Sequence, residues 1–133
     1  MYNYSDKRLL QYILFVGAIQ AGFFGVVLIF REFYYTWDWI NLKIPSPSLY
    51  ADVSAVFLLV MSFWTFYIAK KMQPEFWIII AGSSAGRIIY FNIALVGFLT
   101  SSNEFMYVLI GLSDLLIGIS LIYVAYRLKK AIN

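Results

Sequence analysis

The sequence predicts an all-α polytopic membrane protein, an antiparallel bundle of four transmembrane helices forming a single membrane domain over residues 1–133. Three observations carry this. Four apolar runs are each long enough to cross the roughly 30 Å hydrocarbon core, which takes about 20 helical residues. The composition is 62 % hydrophobic and 20 % aromatic, with only 13 % charged residues, against about 25 % charged in a water-soluble domain. The few basic residues stand almost entirely at the ends of the runs. A soluble 133-residue chain has too little interior to hide this much apolar surface. A cytosolic enzyme, a disordered segment and a nucleic-acid-binding domain are thereby excluded. The net charge of +3 is a topology signal.

The first run extends from about Leu9 to Phe30 and carries no charge. Its length, without a small-residue cleavage site, sets it apart from a removable signal peptide. An outer loop follows over 31–48. Phe33, Tyr34, Trp37 and Ile40 would share one face of a helix there, with Glu32, Asp38 and Asn41 largely elsewhere. Its aromatics Tyr34, Tyr35, Trp37 and Trp39 suit either a belt on the headgroups or a contact surface for a partner subunit or lipid-sized ligand. Glu32 beside Arg31 reads as a solvated pair.

The second run, about Leu49 to Ala69, opens behind Ser46 and Pro47, an N-cap serine and N1 proline. Asp52 lies in its first turns, where the helix dipole favours a carboxylate; an access point for protons or cations is the sharper reading. The third, about 76–99, starts behind Pro74 and Glu75. The fourth, about Phe105 to Tyr126, follows Ser101 and Glu104, at capping-box spacing. Backbone groups left unpaired in lipid are costly, so these runs should be helical.

Lys7, Arg8, Lys70, Lys71, Arg127, Lys129 and Lys130 fall on one side of the membrane, against Arg31 and Lys43 on the other. The positive-inside rule then makes both termini cytoplasmic in a multi-pass protein of the cell membrane. Trp77, Tyr123 and Tyr126 would line the inner interface, and Tyr50 and Tyr107 the outer one with the loop aromatics.

The chain has neither Cys nor His. Thiolate catalysis, Fe–S clusters and disulfides are excluded, and the usual general base and haem ligand are missing. No catalytic residue, metal or cofactor is expected.

The polar residues deep inside the spans are the most informative. From Phe76 to Arg87 the helix rises roughly 16 Å, and from Phe105 to Asp114 roughly 14 Å in the opposite sense. The two depths sum to about one membrane thickness, so Arg87 and Asp114 can meet near the midplane. Gln20 reaches the same level, Ser62 lies close to it, and Tyr90, one turn from Arg87, could donate a second hydrogen bond to Asp114. A lone charge at that depth costs about 2.5–3.5 kcal/mol on insertion scales, which a pair would offset. Gly82 and Gly86 form a small-xxx-small step, and Gly111 and Gly118 share a face with Asp114; all four are candidates for close helix packing. Gly17, Gly22 and Gly25 are candidates on the first helix.

The order of features resembles the DoxX-like small membrane proteins: a glycine-containing first helix (Gly17, Gly22, Gly25) loosely closed by Arg31, a longer outer loop ending in Pro45-Ser46-Pro47, an acid starting helix two (Asp52), then tightly connected helices. The resemblance lies in layout over nearly the whole chain. It implies a four-helix membrane fold and, for some members, association with quinone-linked redox complexes. A small multidrug transporter would carry a carboxylate where Gln20 stands.

The expected role is a non-catalytic accessory subunit of a larger membrane complex, a respiratory or other redox enzyme, holding lipid or quinone in its grooves. The alternative is a small ion- or proton-coupled transporter built on Arg87, Asp114 and Gln20.

Overall fold

The computed structural model describes residues 4–35, 37, 48–100 and 105–131. The chain is all-α: α1 (Tyr4–Ile29), a one-turn α2 (Arg31–Tyr34), α3 (Ser48–Lys71), a 3-10 turn (Pro74–Phe76), α4 (Trp77–Leu99) and α5 (Phe105–Lys130). Among the described residues, α1, α3, α4 (with its 3-10 turn) and α5 are long and apolar enough to cross a membrane. The helices outrun the apolar segments. α1 begins before Lys7, and α5 continues through Lys130, with Arg127, Lys129 and Lys130 in a last turn whose dipole favours cations. The starts expected at Ser46–Pro47 and Ser101–Glu104 lie outside the described residues, as does Trp39. Pro74 does open the third span, as a 3-10 turn with Glu75 in it and no side-chain cap. Just before it α3 stops at Met72, whose φ of 49° is a left-handed conformation that only a well-held residue sustains. Its side chain is buried in the core, and its amide donates to Ile68 O at 2.7 Å.

Neighbouring helices pack antiparallel, α1 with α3, α4 with α5, and α1 with α5 between the pairs. The spatial order is therefore α3–α1–α5–α4. The two inner helices are accordingly more buried than the two outer ones. At the basic end all four converge on one core, with Leu10 and Leu14 of α1, Ile68 of α3, Ile80 of α4, and Leu121 and Leu128 of α5 fully enclosed. Outward faces carry large apolar side chains such as Ile19, Phe57, Ile93 and Leu116. That surface suits hydrocarbon rather than water.

Glycines set the close approaches. A Cβ on Gly25 would stand 2.9 Å from Leu59 Cγ and 3.2 Å from the Ala55 carbonyl oxygen on α3. Gly17 faces Ile117 on α5, Gly111 faces the Phe91 backbone, and Gly118 sits against Arg87, Ile88 and the Ser84 carbonyl. The step expected from Gly82 and Gly86 is different. Neither has anything within 4 Å. Ser84, Arg87, Phe91 and Ala94 lie on the side of α4 that meets α5, which turns Gly82 and Gly86 outward.

Candidate functional site

Arg87 is the hub of a polar cluster in the middle of the bundle, its side chain only 9 % exposed. Nη1 donates to Asp114 Oδ1 on α5 at 2.5 Å and also to Gln20 Oε1 on α1. Nη2 donates to the Gly17 carbonyl at 2.9 Å. One guanidinium thus ties α4 to both inner helices. Its planar fork of donors makes this possible, and an ammonium could not reproduce it. The network continues as Gln20 Nε2 donates to Ser113 Oγ at 2.9 Å and Ser113 Oγ to Ile110 O at 2.7 Å.

Helix periodicity explains the convergence. Gln20 and Gly17 are one turn apart on the α5-facing side of α1, and Asp114 lies one turn from both Gly111 and Gly118 on the side of α5 that packs on α4. The lack of a side chain at Gly118 lets Arg87 Cβ approach. It also lets Ser84 Oγ donate to the Gly118 carbonyl at 2.6 Å, one turn nearer the basic end.

Gln20, Arg87 and Asp114 therefore meet in one cluster, and Tyr90 does not join it. Tyr90 is 38 % exposed and, among the described residues, makes no hydrogen bond to Asp114, although it lies close enough for the Asp114 charge to act on it. Ser62 belongs to the α1–α3 seam, donating to the Ala18 carbonyl at 2.7 Å, beside Gln11 Nε2 on the Ala69 carbonyl at 3.0 Å.

A second ion pair closes the outer end. Arg31 Nη1 lies 2.6 Å from Asp52 Oδ1 and 3.0 Å from the Leu28 carbonyl oxygen. Asp52 is thus the counter-ion of a buried arginine, with its own side chain 54 % exposed. Tyr35, expected as a partner contact, is buried as well. α2 continues so directly from α1 that Arg31 and Tyr35, one turn apart, both face inward. Burial pushes the Tyr35 phenol up to about 12, opposed by the nearby Arg31 charge. Tyr34 and Trp37 remain toward the surface, stacked edge-on with each other and with Phe33. Asp52→Asn removes the counter-charge of a guanidinium that is itself 9 % exposed, so it is expected to cost about 1–3 kcal/mol in detergent unfolding, less than a change at Asp114 because the asparagine oxygen can still accept from Arg31 and the site is half in solvent.

The side chains of the cluster are engaged with one another and with backbone carbonyls. No family model, curated protein or solved structure matches the chain.

Proposed function

We propose that this membrane protein is a non-catalytic accessory subunit of a larger membrane complex, which packs its lipid-facing surfaces against a bigger partner. The observation that carries the reading is the outward placement of Gly82 and Gly86 on α4, flanked by exposed Ile78, Ile89 and Ile93. A helix interior loses about 1 kcal/mol per glycine relative to alanine. Gly17, Gly25, Gly111 and Gly118 repay that loss through contacts inside the chain. Gly82 and Gly86 repay nothing here, and a transmembrane helix of another protein seated on them would supply the missing close approach. The edge-stacked Phe33, Tyr34 and Trp37 offer a further contact at the outer end.

The Arg87 cluster supports the same reading, since its groups are engaged in holding α1, α4 and α5 together. The DoxX-like layout is the ground for placing the complex in a quinone-linked respiratory or other redox chain, with lipid or quinone held in surface grooves. The basic end is taken as cytoplasmic on the distribution of Lys and Arg.

Purification from native membranes in mild detergent is expected to co-isolate a larger subunit in stoichiometric amount. Gly82→Ile/Gly86→Ile should abolish that co-isolation while leaving the isolated chain as stable as wild type or about 1 kcal/mol more so. A solitary wild-type chain would contradict the proposal. The charged pair at mid-depth favours a second reading, a small ion- or proton-coupled transporter. It requires that Asp114→Asn stop a flux while the folded chain persists.

A further inference from the structure

An open apolar groove of about 300 Å³ runs between α4 and α5 at the basic end. Small side chains create it, with Ala81 and Ala85 on α4 opposite Ala125 on α5. Beneath them the Ser84–Gly118 hydrogen bond draws the two helices together. Ile88 and Ile122 form the deep part, while Trp77, Tyr126 and Lys129 frame the mouth. Lys129 Nζ rests 4.9 Å from the centre of the Trp77 ring.

We infer that this groove binds an anionic glycerophospholipid, one acyl chain lying in the trough and the phosphate meeting Lys129. Length is the first argument. From Trp77 to Ile88 the trough follows α4 for roughly 16 Å, about half of the roughly 30 Å hydrocarbon core and so the depth of one leaflet. Polarity is the second. The walls give water no hydrogen-bonding partners, whereas an acyl chain needs none.

Charge complementarity selects the headgroup. The one charged residue of the groove is a cation at its mouth, at headgroup level. Contact with Trp77 holds Lys129 there, and Lys130 follows it in the chain. Lys70 and Lys71 belong to the same end of the bundle, where Glu75 is an exposed acid. A phosphodiester with a net negative headgroup gains from this field, and a zwitterionic headgroup gains much less. A neutral quinone ring accepts at most a hydrogen bond from Lys129 and gains nothing from the net positive field. This gives the lipid-holding part of the proposed role a location and a ligand class, and it requires no partner protein.

The test is native mass spectrometry of the full chain, purified in mild detergent and titrated with phosphatidylglycerol or phosphatidylcholine of identical acyl chains. Wild type should retain one phosphatidylglycerol with about fivefold preference over phosphatidylcholine. Lys129→Gln should erase the preference and leave phosphatidylcholine retention unchanged. Ala85→Phe, at an exposed position, fills the trough and should remove retention of both. Equal retention of the two lipids by wild type, or a preference that survives both substitutions, overturns the site. So does displacement of phosphatidylglycerol by a short-chain ubiquinone at stoichiometric dose. The two proposals fail separately. A chain that selects phosphatidylglycerol but co-isolates with nothing keeps the lipid site and loses the accessory role, and the converse result does the opposite.

Discussion

Asp114→Ala is expected to lower the unfolding free energy of the purified chain in mixed micelles by about 3–5 kcal/mol, the range for removing one partner of a buried pair. The substitution strands a guanidinium that is 9 % exposed and cannot give up its proton. Gln20 and the Gly17 carbonyl would still accept from Arg87, but neither carries a charge. Arg87→Met should cost less. The carboxyl group left behind can take up a proton and stay neutral, and methionine fills much of the volume of the arginine stem. Loss of Arg87 also releases α1 from α4, so that variant should show earlier protease sensitivity in α4 than in α3. The order, Asp114→Ala worse than Arg87→Met, distinguishes a buried ion pair from two independent polar contacts, for which the costs would be small and unordered.

The glycines give the second large effect. Gly25→Leu and Gly118→Leu are each expected to destabilise the chain by about 1–3 kcal/mol, the usual range for overpacking. At Gly25 even a Cβ meets Leu59 and the Ala55 carbonyl oxygen, so leucine must push α3 off α1. At Gly118 the obstacle is the Ser84 carbonyl together with Arg87 Cβ. Displacing α4 there stretches the 2.6 Å bond of Ser84 and the 2.5 Å contact of Arg87 with Asp114. Gly82→Leu and Gly86→Leu serve as internal controls. Both open into space, and leucine is the better helix former, so each should leave the isolated chain equal or slightly more stable. Thermal unfolding followed by circular dichroism reads all four.

This contrast also marks what could be read from the residues alone. Depth along a span is set by position, and the fixed rise of a helix converts position into distance. That is why the sequence alone places Gln20, Arg87 and Asp114 at one level. Which side of a helix faces inward is a different matter. On α4 the inward direction is marked by Ser84 and Arg87 rather than by apolar side chains, and the small-xxx-small spacing of Gly82 and Gly86 carries no direction of its own, whereas Gly111 and Gly118 share a face with Asp114. Tyr90 lies within reach of the Asp114 charge but without a hydrogen bond to it, a distinction that spacing along a helix does not carry. The Arg31–Asp52 pair had a usable signal, since both residues sit at outer span ends, but each already had a local explanation, Glu32 for one and the helix dipole for the other. The left-handed Met72 left no trace in composition or spacing. Long-range pairing is decided by packing, and packing between apolar helices is recorded in side-chain volumes more than in polarity.

In the proposed role the charge pair at mid-depth holds the bundle together. The most direct test is co-isolation of Arg87→Met/Asp114→Leu from native membranes. An apolar pair of similar volume removes both charges at once, so neither is stranded. This variant is expected to recover most of the stability lost in Asp114→Ala and to bring down the same larger subunit in the same ratio as wild type. A variant that inserts and folds normally but no longer assembles, or that assembles while a membrane flux disappears, would show that the charges themselves perform the function.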